Sequence, residues 1–470
     1  MELTPSPPHL LRLPDELLHQ IFGYAAGALK DTFACRGWYT AREKVFADWC
    51  LLCRRLYPIA RAFLYANVDV NCVFSPSRHE WLLGQHQSFQ RYATLRPLVR
   101  NLTVHYEGPS INTLPYVATD LIAWCTHVRS FSLSGLGSDD QAWMMLRQGL
   151  FNFQTLMELS LADPRKFNLD LELLLGTLDE LACPQLTTLS LNGIGNRRLR
   201  DRPNSPGEPL TAALTTLKLR NFLATPADLE ALVRRPTRLQ NFELQYTFPE
   251  ASSYDQKGAS TDWSLATLQP ILSIHKASLR SIKLNHINRG GLAGFDMRDF
   301  ERLEMLSLST ATVCSASRLY DYDEHVLDVL FAPNLRALEL DFAREYKSHT
   351  SLDSYSRREG LEDFDEAEER WLHTLAHMAI RKRCPLREIK VIFRPRRYDE
   401  SQSAARYPWD RMDDLDEELR PYRIRICYNT PTVSRAEFDE VNRRRVSLSM
   451  PYSDRLRMPS VATTLDTDLM

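Results

Sequence analysis

The sequence predicts an α/β fold built from one strand and one helix, repeated many times. A short phrase recurs along the chain: an apolar residue, two variable residues, then apolar, variable and apolar. Seven of the nine steps between successive phrases are 24 to 32 residues long, which is room for one strand and one helix. The ten phrases are Val99 to Val104, Val128 to Leu133, Leu156 to Leu161, Leu186 to Leu191, Leu214 to Leu219, Leu239 to Leu244, Leu279 to Leu284, Leu303 to Leu308, Leu335 to Leu340 and Leu386 to Val391.

Each phrase is expected to form one strand, and the stretches between phrases are expected to form helices. The last two apolar residues of a phrase alternate with a variable one, which is the period of a strand with one buried face. Thr225 can cap a helix over Pro226 to Arg234, because proline suits the first helical position. Leu169 to Leu181 and Leu265 to Ile274 have similar apolar spacing.

The repeated phrase resembles that of leucine-rich-repeat proteins. This resemblance implies a solenoid of about ten strand-helix units, with the strands lining the concave face of an arc. The repeats are of an irregular kind, because Ile194, Phe222 and Ile287 stand where regular repeats carry asparagine. An ordinary α/β domain whose strands share the phrase is the alternative.

The expected domain order is a helical module at 10–70, the solenoid at 71–428 and a tail at 429–470. Insertions are expected near 248–261 and 344–369, where the repeat spacing lengthens and polar or acidic residues accumulate. Arg423 to Cys427 is expected to add a closing strand. The tail is polar and lacks periodicity, which predicts disorder.

Composition and charge argue against several classes of protein, namely those that bind nucleic acid, those that associate with membranes and those that are secreted. The 470 residues include 58 basic and 60 acidic side chains, so no field strong enough to attract nucleic acid or an anionic membrane is expected. No apolar run approaches the ~20 residues that span a bilayer. Nine scattered cysteines favour reduced thiols over a disulfide framework. We therefore expect a non-secreted protein of the cytoplasm or nucleus.

The first 70 residues are predicted to form helices before the first strand. Leu13, Leu17, Leu18, Ile21 and Phe22 fall on one side of a helix over residues 13–24. A second helical stretch is expected over residues 49–65, followed by a short strand at 68–70.

These residues match a motif. Leu-Pro-x-Glu-Leu-Leu-x-x-Ile-Phe-x-Tyr begins at Leu13, and Leu-x-Cys-Arg-Arg-Leu begins at Leu51. Together they resemble an F-box, and most closely the F-box proteins of filamentous fungi. One departure is the longer segment from Ala25 to Asp48, which is expected to be a looped insertion or an extra helical turn.

The resemblance implies a three-helix module that binds the adaptor subunit of a Skp1-cullin-F-box (SCF) ubiquitin ligase, and through it a cullin. A helical unit this small buries only ~60% of its unfolded surface, so a partner on its apolar face would stabilise it. A helical cap that merely closes the first repeat is the alternative. The implied adaptor-binding residues are Leu13, Pro14, Leu17, Leu18, Ile21, Phe22, Cys53, Arg54, Leu56 and Ala60.

One histidine-containing helix resembles a zinc-binding helix only superficially. Glu369, His373 and His377 follow one another at spacings of four, so they would share a helix face. Thr374 stands where a metalloprotease helix carries its catalytic glutamate, and no distant third ligand can be nominated. A solvated helix face is therefore favoured, and neither metal nor cofactor is expected.

Other motifs carry weak signals. Cys50 and Cys53 have redox spacing but lie inside the F-box motif, and the glycines at 290–294 suit a turn better than a phosphate loop. Basic clusters at 381–383 and 394–397 lack interleaved stacking aromatics, which favours solvated surface. Ser447 follows two arginines and is a candidate phosphorylation site.

A protein client is expected on the strand face of the solenoid. The variable residue between the last two apolar positions of each phrase points away from the core, and charged residues dominate this column in the second half of the repeats. Long charged side chains supply discriminating contacts. The candidate client-binding residues are Lys218, Arg220, Glu243, Lys283, Glu339, Asp341 and Lys390.

The sequence therefore predicts a non-catalytic substrate-recognition subunit of an SCF-type ubiquitin ligase. The F-box would bind the adaptor and the solenoid would bind a client. A leucine-rich-repeat scaffold that does not direct ubiquitin transfer is the alternative. An enzyme with a dispersed active site is disfavoured, because no compact nucleophile, metal or phosphate motif is present.

Overall fold

The protein is described by a computed structural model in which most of the chain is placed. The described residues are 12–32, 38–71, 76–106, 115–136, 140–163, 169–181, 183–195, 213–246, 263–285, 287, 291–309, 313, 327–342, 364, 366–393, 406–431 and 434–440.

The chain divides into two units. The described residues up to 246 belong to unit 1, and those from 263 onwards belong to unit 2. Both are α/β units in which strands follow one another in a parallel sheet.

Unit 1 begins with three helices and continues as alternating strands and helices. Its helices are α1 (Asp15–Thr32), α2 (Trp38–Leu52), α3 (Leu56–Tyr65), α4 (Pro76–Arg91), α5 (Pro115–Trp124), α6 (Asp140–Asn152), α7 (Leu171–Leu181) and α8 (Pro226–Val233). Its strands are β1 (Asn67–Asn71), β2 (Asn101–His105), β3 (Ser130–Ser134), β4 (Glu158–Ala162), β5 (Thr188–Ile194), β6 (Thr216–Phe222) and β7 (Asn241–Gln245).

Unit 2 continues the same alternation. Its helices are α9 (Leu265–Ser273), α10 (Glu366–Arg381) and α11 (Pro408–Leu419). Its strands are β8 (Ser281–Asn285), β9 (Met305–Ser309), β10 (Ala337–Asp341), β11 (Glu388–Ile392) and β12 (Arg425–Tyr428). All ten phrases therefore form strands, and β1 and β12 form at the two further places where strands were predicted.

Apolar ladders hold the strands of each sheet together. In unit 1, Phe131 of β3 pairs with Leu102 on one side and Leu159 on the other, and the whole row is buried. Leu338 of β10 pairs in the same way with Leu306 and Ile389 in unit 2. Each phrase thus contributes equivalent side chains to the core, as predicted for a solenoid-like repeat.

The turns before β2 to β7 and before β9 to β11 repeat one hydrogen-bond arrangement. The carbonyl of Arg100 accepts hydrogen bonds from the N–H groups of Arg129 and Ser130, at 2.7 and 3.0 Å. The carbonyl of Ala66, just after α3, accepts in the same way from Arg100 and Asn101. The N-terminal helices therefore lead directly into the first repeat through the same turn that joins later repeats.

The helix start that was predicted at Thr225 is present in the structure. The Thr225 hydroxyl accepts a hydrogen bond from the backbone N–H of Asp228, whose carboxylate accepts one from the backbone N–H of Thr225. This capping box starts α8, with Pro226 in its first turn. Ile194, Phe222 and Ile287, which replace the usual asparagine, are buried apolar side chains.

The predicted helix over residues 49–65 is broken into two. α2 ends at Leu52 and α3 begins at Leu56. Pro58 explains the break, because proline has no N–H to donate to the carbonyl of Arg54 and its ring would clash with that carbonyl in a continuous helix. Most of the segment between Ala25 and Asp48 is helical: α1 extends to Thr32 and α2 starts at Trp38.

Several predicted features lie wholly or partly outside the described residues. These are the insertion near 248–261, most of the insertion near 344–369, and Ser447 in the tail. Within the tail, residues 435–440 are helical, and Phe438 is buried against the ring of Tyr407 with centroids 5.4 Å apart. Among the described residues, no helix is both long and apolar enough to cross a membrane.

The turn after β3 provides a test of the repeat packing. Gly135 has a φ of 92°, and a Cβ atom there would lie 1.5 Å from the carbonyl oxygen of Tyr106. We expect Gly135→Ala to lower the free energy of unfolding by at least ~2 kcal/mol, because it adds backbone strain and a backbone clash. Urea denaturation measures this change.

Gly176 is the matched control because it lies inside α7 with open space around its Cβ direction. Gly176→Ala should raise the stability by about 0.5–1 kcal/mol through the better helix propensity of alanine. Equal effects of the two substitutions would contradict the described turn.

Candidate functional site

The three N-terminal helices pack around one apolar core. Phe22 of α1 contacts Trp49 of α2 edge-on, with ring centroids 4.4 Å apart, and Phe46 stacks on Phe63 of α3 at 5.6 Å. The buried members of this core are Leu18, Phe22, Phe46, Leu56, Ile59 and Ala60. The packed core therefore supports the side chains that the three helices expose.

A second apolar stripe of α1 is not packed in this core. Leu17, Ile21 and Tyr24 are 42%, 39% and 80% exposed. Their spacing of four and three residues places them along one face of the helix. We call these three residues the α1 stripe. An amphipathic helix on a small protein normally hides its apolar residues on one side, so an additional exposed stripe marks a candidate binding surface.

Exposed apolar side chains are concentrated in this module. Of thirteen large apolar side chains exposed among the described residues, six lie between Leu17 and Tyr57. Three of the six form the α1 stripe, and the other three are Leu51, Leu52 and Tyr57. Isolated exposed apolar residues are ordinary, whereas six on three successive helices mark a candidate binding surface.

The structure separates the ten predicted adaptor-binding residues into two groups. Leu18, Phe22, Leu56 and Ala60 are buried in the helical core, so a partner on the outer surface would not contact them directly. The remaining six, which are exposed or half-buried, are Leu13, Pro14, Leu17, Ile21, Cys53 and Arg54. The buried four have the role of supporting the surface.

Arg55 has a positioning role that the sequence motif did not single out. Its guanidinium donates to Asp15 Oδ1 from Nε at 3.2 Å and from Nη2 at 2.9 Å, and Nη2 also donates to the carbonyl of Leu13. These contacts join the start of α3 to the start of α1. Both partners are exposed, so the contribution to stability is modest.

Two described thiols of this module have the spacing of a redox pair. Cys50 and Cys53 are both free thiols. Burial raises the pKa of Cys50, although nearby Arg61 opposes the shift. A raised pKa disfavours the thiolate that redox chemistry requires.

In unit 1, the predicted client residues form a small charged group on β6 and β7. Lys218 and Arg220 are exposed, and Arg220 Nη2 lies 3.8 Å from Glu243 Oε1. The equivalent positions on the preceding strands carry half-buried hydroxyls, for instance Ser160 and Ser190. The charged group therefore borders a polar face of small side chains.

In unit 2, the predicted client residues are engaged with one another. Glu339 Oε1 accepts hydrogen bonds from Lys283 Nζ at 3.0 Å and from Ser307 Oγ at 2.9 Å, and Oε2 accepts one from Lys390 Nζ at 2.7 Å. These four residues occupy paired positions on the adjacent strands β8 to β11. We call them the Glu339 network.

The network changes the interpretation of this half of the strand face. Glu339 and Asp341, which were expected to be exposed, are only 8% and 9% exposed. Burial opposes ionisation of Glu339, but the hydrogen bonds from Lys390, Lys283 and Ser307 outweigh it and lower its pKa to about 2. In unit 2, three of the charges that were predicted to meet a client, Glu339, Lys283 and Lys390, are therefore paired with one another.

The remaining motifs have structural roles where they are described. Gly291 and Gly294 have positive φ values of 66° and 74°, as expected for a turn, whereas Gly290 lies outside the described residues. Lys382 Nζ pairs with Asp328 at 3.0 Å, and residues 394–397 also lie outside the described residues.

Comparison with protein families and with curated proteins finds no match. No protein-family model matches the chain, and no curated protein matches it. The F-box and leucine-rich-repeat resemblances therefore depend on the motifs and the geometry described above.

The Glu339 network predicts a pH-dependent contribution to stability. Glu339→Gln removes the charge that Lys283 and Lys390 share, so we expect it to destabilise the protein by about 1–3 kcal/mol at neutral pH. The pKa of Glu339 is lowered in the folded state, so its stabilisation is present above the ordinary value of 4.5 and is lost as pH falls toward 2.

Denaturant unfolding at a series of pH values should therefore show the difference between wild type and Glu339→Gln shrinking over this acidic window. Glu388→Gln is the matched control, because Glu388 is an exposed glutamate on β11. A difference between wild type and Glu339→Gln that stays constant with pH would contradict the described network.

Proposed function

We propose that this protein is a substrate receptor of an SCF-type ubiquitin ligase, and that the N-terminal helices bind the adaptor subunit. The α1 stripe is the observation that carries the proposal. It belongs to the stretch that resembles the first half of an F-box, and it remains exposed on a module whose own core is complete without it. The adaptor would link the receptor to a cullin.

Burying the exposed parts of the α1 stripe would favour docking, and Leu17 and Ile21 have 42% and 39% of their surface left to bury. Fully burying one leucine or isoleucine side chain is worth roughly 1.5–3 kcal/mol. Leu17, Ile21 and Tyr24 project from a helix held in place by the aromatic contacts of Phe22 and Phe46, so little conformational freedom would be lost on binding. An apolar helix face supported in this way is suited to a groove on a partner.

The strand face of the repeats is the proposed client surface. In unit 1 it offers the exposed cations Lys218 and Arg220 beside rows of hydroxyls. The receptor would act by proximity, because holding a client near a ubiquitin-charged enzyme raises its effective concentration. No bond chemistry by this chain is proposed. The cytoplasm or the nucleus is the compartment in which such a ligase would act.

Truncating the α1 stripe tests adaptor binding. We expect Leu17→Ala or Ile21→Ala to weaken binding to a purified fungal SCF adaptor by at least about tenfold, which corresponds to a loss of about 1.4 kcal/mol or more at an interface hot spot. Because neither side chain is buried in the core, the unfolding midpoint should stay unchanged. Titration calorimetry measures affinity, and circular dichroism measures folding.

Met144→Ala is the matched control, because Met144 is a large apolar side chain on α6 that is 55% exposed and lies outside the module. Full adaptor affinity in both stripe variants would refute the docking site. Adaptor binding without ubiquitin transfer in a reconstituted ligase, for a client captured by the strand face, would instead support the scaffold role.

Charge reversal tests the client surface. Lys218→Glu combined with Arg220→Glu should reduce recovery of specifically co-purified proteins, measured by quantitative mass spectrometry, because two of the exposed cations become anions. Recovery of the adaptor should not change. Arg147→Glu, an exposed position on α6, is the control. Unchanged recovery of all co-purified proteins would overturn the assignment of this surface.

A further inference from the structure

We propose that His373, His377 and Glu418 form a binding site for a divalent transition-metal ion, with Zn²⁺ as the physiological candidate. The two histidines lie on α10 and the glutamate lies on α11. The site is independent of the proposed ligase function, because it lies in unit 2 and involves neither the α1 stripe nor the exposed cations on β6.

The geometry brings three ligand atoms to one point. His373 Nε2 lies 2.8 Å from Glu418 Oε1, and His377 Nε2 lies 3.3 Å from the same oxygen. All three ligand atoms lie within 4.8 Å of one another. Zinc bonds of about 2.0–2.1 Å in a tetrahedron place ligand atoms roughly 3.4 Å apart, and both histidine-to-carboxylate distances lie within about 0.6 Å of that spacing.

The helix spacing explains why the two histidines converge. His373 and His377 are four residues apart on α10, and their ring centroids are 4.2 Å apart. A pair of histidines at this spacing on one helix face is a recurrent arrangement for binding zinc. The ligand that could not be nominated from the sequence comes from the neighbouring helix, 41 residues beyond His377.

The neighbouring charges identify Glu418 as the third ligand. Glu369, which shares the helix spacing of the histidines, is instead paired with Arg411. On α11, Asp414 pairs with Arg406 and Asp416 pairs with Arg420 and Arg425. Glu418 faces the histidines, so its carboxylate is available to a metal ion that displaces the hydrogen bonds.

The chemistry of the three ligands determines which class of metal ion the site would bind. Two imidazoles and one carboxylate suit Zn²⁺ and its neighbours in the transition series, whereas Ca²⁺ and Mg²⁺ prefer ligand sets made only of oxygen. Three protein ligands leave a fourth position for water or for a donor from another molecule.

A bound ion would connect α10 and α11 of unit 2. At present α10 and α11 are joined near this point by hydrogen bonds between exposed side chains, which contribute little. An ion that binds the folded state and not the unfolded state stabilises the fold according to its concentration and affinity. We therefore assign the site a structural role that connects α10 to α11.

Metal titration of the full chain tests the site. The protein, without a polyhistidine tag and after treatment with a chelator, is titrated with ZnCl₂ by calorimetry and with Co²⁺ by visible absorption. We expect one ion per chain, an absorption spectrum typical of tetrahedral Co²⁺, and a higher unfolding temperature with Zn²⁺ than without it.

Two variants and a control separate a metal site from a hydrogen-bonded cluster. His377→Ala should weaken Zn²⁺ binding by at least about tenfold, as loss of a direct ligand requires. Glu418→Gln keeps a hydrogen-bond acceptor but is a poorer ligand, so it should lose the zinc-dependent rise in unfolding temperature while remaining folded. His127→Ala removes an exposed histidine of unit 1 and should bind Zn²⁺ as wild type does.

The outcomes decide the proposal. Stoichiometric binding that both site variants weaken, and that the His127 variant retains, supports it. The absence of stoichiometric Zn²⁺ binding, or binding of equal strength in all variants, would overturn it and leave His373, His377 and Glu418 as a hydrogen-bonded cluster.

Discussion

The residue-for-residue register between parallel strands is the constraint on which the rest of this structure depends. Because equivalent positions of successive phrases pair with one another, every leucine of one strand meets an apolar residue of the next, as Leu189 meets Leu217. The same register aligns the variable positions on the opposite face. A ladder of buried apolar side chains on one face of a sheet is therefore accompanied by aligned rows of polar side chains on the other face.

Whether a polar row is open to another molecule depends on which residues the register places side by side. In unit 1, small hydroxyls and the exposed Lys218 leave a surface that another molecule can contact. In unit 2, the register sets Glu339 between Ser307 and Lys390, and Lys283 reaches it from the strand beyond. Two lysines that were predicted to bind a client are paired there with a buried carboxylate, because an unpaired charge in that position would be costly.

The N-terminal helices use a different principle. Their core is complete with six buried side chains, yet α1 carries a second apolar stripe that the module does not cover. Buried and exposed apolar residues alternate along one helix, with Leu17 beside Leu18 and Ile21 beside Phe22, so the same two turns supply both a packed core and an exposed apolar stripe. A stretch of mainly apolar residues can thus specify both the core of the module and the exposed stripe that we propose as the adaptor surface.

The sequence by itself determined the α/β class, the strand positions and local features such as the Thr225 cap, because these depend on periodicity and on contacts between near neighbours. Only the tertiary structure decided which apolar residues of the first helix remain exposed, since Leu17 and Leu18 are indistinguishable as letters. It also decided that Glu339 is shared by two lysines and that Glu418 meets His373 and His377. Those contacts join residues 41 to 56 positions apart, and such distances are set by how strands and helices pack.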